Sequence, residues 1–180
     1  MTLRSPPSRA VLCASLAMSL LLGSAAVLTY RQPAGAPDRG APAGDDAAIA
    51  QVREAAEHIT AAAGLDGATG GYRFLSCAAD GPPYQAVVYL TFIVPERNWA
   101  RYLSGVANAM RSHGWVRAPT AAEHFGHKLT RDGVTAIVHR NVENPGFATL
   151  RLYGPCRNHN DHRTDAPVWT DIGIPSRSGR

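Results

Sequence analysis

"YQAVVYLTFIV", residues 84–94, is the stretch of this 180-residue chain that most clearly indicates its fold. Aromatic and β-branched residues fill it and Pro95 follows it, which is typical of a long strand. The preceding "YRFLSCAA", residues 72–79, also has the composition of a strand, and the turn residues "DGPP" at 80–83 join the two. A connection this short implies antiparallel pairing. The sequence therefore predicts an antiparallel sheet.

Two amphipathic helices are predicted on either side of this strand pair. Apolar residues recur at helical spacing over residues 47–63, Gly64 supplies the stop, and either Asp45 or Asp46 can cap the start. A second apolar stripe runs through "ERNWARYLSGVANAMRSHG", residues 96–114. Both stripes are wide enough for the helices to pack on a sheet.

Three more strands complete the predicted domain. Two of them lie in "EHFGHKLTRDGVTAIVHRN", residues 123–141, around an Asp132-Gly133 turn, and "FATLRLYG", residues 147–154, is the last. The expected fold class is α+β: an antiparallel sheet of about five strands with two helices on one face, in the order α-β-β-α-β-β-β. An N-terminal transmembrane or signal helix precedes this domain.

The first thirty residues are interpreted as an export signal. Residues 1–9 contain Arg4 and Arg9 and form a positive cytoplasmic region, whereas residues 10–30 carry no charge. About 20 apolar residues span the hydrocarbon core, so 10–30 is either a signal-anchor embedded in the lipid bilayer or a cleaved signal peptide. Both interpretations leave the N-terminus in the cytoplasm and the folded domain outside the cell membrane, secreted if cleavage occurs.

The remaining sequence divides into three segments. Residues 31–44 form a linker rich in Pro, Gly and Ala, residues 45–172 an extracytoplasmic domain, and residues 173–180 a disordered tail. The chain has 18 basic and 14 acidic residues, and removing Arg4 and Arg9 leaves 16 against 14. The basic residues are spread along the chain and form no cluster, so nucleic-acid binding is not expected.

Cys77 and Cys156 are the only cysteines beyond the apolar segment. One lies at the end of the first predicted strand and the other just past the last. In an exported chain a single pair of cysteines is most simply a disulfide. It would close a loop of about 80 residues, contribute roughly 4 to 5 kcal/mol in the chain-entropy treatment, and fasten the polar tail onto the sheet.

The alternative interpretation of the C-terminal loop is a metal site. "YGPCRNHNDHRT", residues 153–164, and the aspartate that follows supply candidate ligands: Cys156, His159, Asp161, His162 and Asp165. Against this, no Cys-x-x-Cys pair is present, and the interleaved Asn158 and Asn160 are typical of turns. A disulfide would also consume the thiolate of Cys156.

The sequence contains no recognisable catalytic motif. It lacks a nucleophile elbow, a His-Glu-x-x-His pair, a phosphate loop and a dinucleotide fingerprint. His124 and His127 form a second His-x-x-His, but residues three apart on a strand point to opposite faces. We therefore expect a protein that is not an enzyme and uses no cofactor.

The sheet face turned away from the helices is the remaining candidate for function. If Ala86 and Val88 face the helices, then Tyr89, Arg151 and Tyr153 lie on the exposed face. Tyrosine and arginine suit the binding of an envelope protein or glycan. The alternative is an ordinary face in water, which antiparallel sheets commonly have.

Three blocks of this sequence together resemble a known family. "FLSCAADGPPYQAVVYLTF", "SHGW" and "GPCRNHNDHR" are similar to the exported lipoproteins of mycobacteria of the LppJ type, over about residues 47–172. The resemblance implies a cysteine at the positions of Cys77 and Cys156, and it implies no particular activity. The family's lipobox is not matched, because "LLG" at 21–23 is followed by Ser24 and a leucine precedes Cys13. A membrane-spanning anchor is expected in place of lipidation.

The leading hypothesis is a membrane-anchored or secreted envelope protein with a non-catalytic binding domain stapled by a Cys77–Cys156 disulfide. The alternative is a metal-binding protein that uses the loop from Cys156 to Asp165. A structural spacer without a ligand is a third option.

Overall fold

The computed structural model describes residues 40–95, 98–119 and 126–174, which form two helices and seven strands. The helices are α1 (Asp45–Ala63) and α2 (Trp99–Ser112). The strands are β1 (Thr69–Ser76), β2 (Tyr84–Ile93), β3 (Val116–Arg117), β4 (His127–Arg131), β5 (Val134–Arg140), β6 (Phe147–Tyr153) and β7 (Thr170–Asp171).

Several predicted segments fall beyond the described residues. The cytoplasmic region 1–9, the apolar segment 10–30, most of the linker 31–44 and residues 175–180 of the predicted tail lie outside them, as does His124. In the part of the chain that is described, no helix has the length and apolar character needed to cross a membrane. Ile172 is buried and Ile174 packs against the core.

All seven strands join one antiparallel sheet in the order β3-β4-β5-β6-β2-β1-β7. The predicted α+β class and antiparallel pairing are confirmed. The expected number of about five strands is corrected to seven, because β3 and β7 were not anticipated. Each has only two residues, and two residues carry no alternation that a sequence pattern can reveal.

Strand β1 begins at Thr69, three residues earlier than the predicted start at Tyr72. Gly71, which directly precedes the predicted strand, pairs with Tyr89 on one side and with Asp171 of β7 on the other. A Cβ atom at Gly71 would lie 2.6 Å from the carbonyl oxygen of Thr170. Glycine therefore extends the strand here because it lets β7 approach closely.

The core lies between the helices and one face of the sheet. Alternate residues of β2 and β6 are buried on that face, as predicted: Ala86, Val88, Leu90, Phe92, Leu150 and Leu152. The helices contribute Val52, Ala56, Ile59, Leu103, Val106 and Met110 to the same cluster. Burying one large apolar side chain of this kind contributes about 1.5–3 kcal/mol, so this layer is the main source of stability. It also fixes which residues of β2 and β6 face outward.

Candidate functional site

A disulfide joins Cys77 and Cys156, as the sequence predicts. Their sulfur atoms are 1.98 Å apart and their Cα atoms 6.1 Å apart, across 79 positions of sequence. Cys77 directly follows β1, and Cys156 lies just beyond β6. Since β1 and β6 are the two neighbours of β2, the bond ties together the ends of the strands that flank the centre of the sheet.

The chain beyond the disulfide is held against the start of β2. The backbone N–H of Tyr84 donates to the carbonyl of Asn158 at 2.7 Å, and the N–H of Asn158 donates back to Tyr84 at 3.1 Å. Asn158 is 1% exposed. The polar tail is therefore ordered from its first residues and is part of the domain.

Three side chains of the tail converge on the carboxylate of Asp45, the first residue of α1. Asn158 Nδ2 donates to Asp45 Oδ1 at 2.6 Å, Asn160 Nδ2 donates at 2.7 Å, and His162 Nε2 lies 3.3 Å away. The chain bends at Asn160, whose backbone N–H donates to Asn158 Oδ1 at 2.8 Å. Asp45 therefore anchors the tail, and Gly44 takes the N-cap position that the sequence assigned to Asp45 or Asp46.

The tail holds Asp45 in its charged form. The hydrogen bond from Asn158 is the largest cause of a lowered pKa at Asp45; burial opposes it, and Asn160 and His162 reinforce it. We call Asp45, Asn158, Asn160 and His162 the Asp45 cluster.

His162 is packed as an aromatic side chain. Its ring stacks on Phe74 with centroids 3.8 Å apart and meets the edge of Tyr84 at 5.0 Å, and its side chain is 6% exposed. Nδ1 lies 2.8 Å from Asp165 Oδ2. Nε2 is buried and makes no directional hydrogen bond, so its 3.3 Å approach to Asp45 is an electrostatic contact.

The residues proposed as metal ligands do not converge. His159 is exposed, while His162 lies between Asp45 and Asp165. Asp161 binds Arg163 at 2.7 Å, and hydrogen bonds from the Arg163 side chain and backbone lower the pKa of Asp161 to about 2. Cys156 is committed to the disulfide. Among residues 40–95, 98–119 and 126–174, no group of three or more His, Cys, Asp or Glu residues is placed to hold an ion.

A groove of about 290 Å³ lies on the sheet face opposite the helices. It is lined by the three residues that the sequence placed on that face, Tyr89, Arg151 and Tyr153. Three further residues complete the lining: Leu75, Val87 and Trp169. The β2–β6 register sets Tyr89 opposite Arg151 and Val87 opposite Tyr153. We call this set the outer-face groove. Its role in binding stays a prediction.

Trp169 is the residue of the groove that sequence reasoning missed. It belongs to the irregular tail, where no periodic signal exists, and it reaches the sheet because Gly71 has no side chain. Its ring centroid lies 5.8 Å from that of Tyr89, and the guanidinium carbon of Arg73 lies 5.5 Å from it. The tail thus builds one wall of the groove.

Two arginines rest on the aromatic rings of the groove. Arg73 lies over Trp169, and Arg151 lies over Tyr89 at 5.6 Å. Contacts of this kind contribute about 0.5–1 kcal/mol at exposed sites. In the described part of the chain neither guanidinium has a carboxylate partner. The groove is therefore aromatic and positively charged.

A second cleft, of about 260 Å³, lies between α1 and the β4–β5 turn and contains His58, Trp115 and Arg131. The indole N–H of Trp115 donates to His58 Nδ1 at 3.4 Å, and Arg131 Nη1 lies 2.8 Å from His58 Nε2. Burial lowers the pKa of His58, and the charges of Arg131 and His113 lower it further. A neutral imidazole accepts at only one nitrogen, and Nδ1 lies within reach of both donors, 3.4 Å from Trp115 Nε1 and 3.1 Å from Arg131 Nη1, so His58 packs between them.

Comparisons with known proteins agree on one family. A family model described as "Putative lipoprotein LppJ" matches residues 44–174. The "Putative lipoprotein LppJ" of Mycobacterium tuberculosis (strain ATCC 25618 / H37Rv) is 37% identical over 164 residues, which cover 88% of this chain and 87% of that protein. The proteins of the same name from strain CDC 1551 / Oshkosh and from Mycobacterium bovis (strain ATCC BAA-935 / AF2122/97) have the same identity and coverage. No solved structure matches the chain.

Proposed function

The chain belongs to the LppJ family of lipoproteins, and from that premise we propose that it is a non-catalytic envelope protein whose disulfide-stapled domain binds an envelope component through the outer-face groove. The family's name describes membrane-associated or exported proteins. Residues 10–30 would act as the anchor in the bilayer, with residues 1–9 in the cytoplasm and the domain outside. The disulfide supports this placement, because such bonds persist in oxidising compartments.

The outer-face groove carries the proposal of binding. An exposed sheet face in water needs only scattered polar side chains, whereas this groove is lined by two tyrosines, a tryptophan and an arginine, with a second arginine over the tryptophan ring. Tyrosine, tryptophan and arginine are the residues that contribute most strongly at binding sites. Trp169 is 44% exposed although it is large and apolar, so it is available to a ligand.

Sedimentation with insoluble cell-wall material tests this proposal. The full chain is reconstituted in lipid nanodiscs, mixed with mycobacterial cell walls and centrifuged at a speed that leaves nanodiscs in solution. We expect the wild type to sediment with the walls and the Tyr89→Ala/Trp169→Ala double variant to stay in solution. Arg101→Gln, on α2 at the opposite side of the sheet, is the matched surface control.

Two further measurements complete this experiment. Protease treatment of the cell walls beforehand separates a protein ligand, whose binding disappears, from a glycan, whose binding persists. Intact disulfide content and an unchanged thermal midpoint establish that the double variant is folded. Sedimentation of a folded double variant to the same extent as the wild type would show that the groove is not the binding site.

The proposal includes the absence of catalysis. The Ser112 hydroxyl, 3.3 Å from His113 Nδ1, donates to the carbonyl of Ala109 at 2.8 Å, so its proton is directed to the backbone and not to the imidazole. A hydrolytic or transfer activity of the purified chain that is lost on mutating one exposed side chain would contradict this part of the proposal. Metal binding by the loop from Cys156 to Asp165 is not proposed, because its candidate ligands do not converge in the described structure.

A further inference from the structure

Resting on the proposed function, we propose that the outer-face groove binds an anionic glycan. A sugar ring stacks on Trp169 and Tyr89, and a carboxylate or phosphate group on the sugar chain binds to Arg73 and Arg151. The observation behind this assignment is a pair of neighbouring aromatic rings, exposed Trp169 and half-buried Tyr89, each with an arginine beside it that forms no salt bridge in the described residues.

The charge of the groove selects an anion. Arg151 on β6 lies opposite Tyr89 and lines the groove, and Arg73 on β1 lies opposite Val87 and over the ring of Trp169, so a positive charge stands beside each of these two rings. The carboxylate of Asp171 on β7 accepts a hydrogen bond from the backbone N–H of Gly173 at 2.9 Å, and no salt bridge in the described residues involves Arg73 or Arg151. An arginine stacked on a ring keeps its N–H groups free at the edge, where they can bind a carboxylate or phosphate with two parallel hydrogen bonds.

The aromatic residues select a ligand with an apolar face and polar edges. Tyr89, Tyr153 and Trp169 each present a flat ring with one hydrogen-bonding group at its end. A pyranose ring has the complementary form, with C–H groups on its faces and hydroxyl groups around its rim. The guanidinium groups add a charge requirement that a neutral sugar does not meet.

The size and position of the groove favour a glycan over a protein partner. A volume of about 290 Å³ lies at the lower end of the range for small-ligand sites. Stable protein interfaces bury about 800 Å² on each partner, which is far more than this groove offers. The backbone groups of β2 are already paired with β1 and β6 on both sides, so a peptide cannot join the sheet there as an extra strand.

Calorimetric titration of the full chain in nanodiscs tests the assignment with defined sugars. The anionic probes are trigalacturonic acid and a phosphorylated oligomannose; their neutral counterparts are the methyl ester of the first and the unphosphorylated form of the second. We expect at least one anionic probe to bind at least tenfold more tightly than its neutral counterpart. The difference should shrink in 0.5 M salt, since exposed charges are screened at that ionic strength.

The variants assign this binding to the groove. Trp169→Ala should abolish binding. Arg73→Gln and Arg151→Gln should each weaken the binding of the anionic probe at least tenfold and leave the affinity for its neutral counterpart unchanged. Arg53→Gln and Arg101→Gln remove the same charge on the exposed sides of α1 and α2, and we expect both to match the wild type. Arg151→Lys separates charge from geometry and should show an intermediate affinity.

The outcomes separate this inference from the proposed function. Equal affinity for charged and neutral sugars, lost in Trp169→Ala, would overturn the anionic assignment and leave a binding groove. No affinity for any of the four sugars would overturn the glycan assignment, even if sedimentation with cell walls still depended on Tyr89 and Trp169. If that sedimentation were independent of the groove as well, both proposals would fall.

Discussion

Replacing both disulfide cysteines, as Cys77→Ser/Cys156→Ser, should destabilise the domain strongly. The two residues are separated by 79 positions, and the chain-entropy treatment of a loop this long gives about 4.5 kcal/mol at 25 °C. A domain of ordinary stability unfolds at a cost of about 5–15 kcal/mol, so this bond supplies a large part of the total. The loss arises mainly in the unfolded chain, which regains the freedom that the bond removes.

Urea unfolding of the full chain in nanodiscs, followed by circular dichroism, measures this effect. With a slope of about 2 kcal/mol per molar urea, a loss of 4.5 kcal/mol lowers the midpoint by about 2 M. The single variants Cys77→Ser and Cys156→Ser should match the double variant, because either change breaks the same bond. The wild type in reducing agent should behave in the same way.

A midpoint that falls by less than about 0.5 M would refute the reasoning, since the slope would then convert it to roughly 1 kcal/mol. That result would mean that the unfolded chain is already restricted, either by contacts of the Asp45 cluster that persist in it or by other retained structure. The variant Asp45→Ala distinguishes these explanations, because it removes the tail's other attachment to α1. Combined with the cysteine variants, it should make the loss appear if the cluster is responsible.

Three further predictions concern the pH dependence of stability and the position of the tail. Because the pKa of His58 is lowered below its usual 6.5, the stability that His58 confers is present above pH 6.5 and is lost as the pH falls through the pKa of the folded state. The variant His58→Gln should therefore reduce the change of the thermal midpoint with pH between pH 7.5 and 5. An unchanged pH dependence would contradict this. The pKa of Asp45 is lowered from 3.8, so the stability that Asp45 contributes is present above pH 3.8 and is lost as the pH falls through the pKa of the folded state. The variant Asp45→Asn should therefore reduce the fall of the urea midpoint at acid pH, whereas Asp46→Asn, at an exposed position, should not. Gly71→Ala should displace β7, and in a Trp99→Phe/Trp115→Phe background this should shift the fluorescence emission of Trp169 to the red. The control is Gly105→Ala in α2, which has open space around it. It should leave that emission unchanged and stabilise the helix by about 0.5–1 kcal/mol.

Sequence patterns predicted the parts of this fold that repeat. The helical stripe that places Val52, Ala56 and Ile59 on one side of α1 is buried as expected. The alternation along β2 correctly separated Val88, which faces the core, from Tyr89, which faces outward. Periodic burial leaves a periodic signal, and these elements are long enough to show it.

The tail could not be predicted in the same way. Asparagine and histidine, the residue types of Asn158 and His162, occur in turns, in metal sites and in side-chain hydrogen bonds, so composition alone left those alternatives open. Their actual partner is Asp45, which is 113 positions from Asn158. Trp169 was missed for the same reason, because its place beside Tyr89 depends on Gly71 and on a strand of two residues. Only the cysteine pair gave a sequence signal that this segment returns to the sheet.

The two outermost strands of the sheet, β3 and β7, have two residues each. A long bare strand at the border of a sheet invites an identical chain to add to it, and repetition of that contact produces fibrils. β7 pairs only with Gly71 and Tyr72 of β1, so in the described part of the chain the outer edge of residues 73–76 has no strand partner. Each border strand therefore shields only part of its neighbour, and residues 73–76 are where a further strand would add if two copies met edge to edge.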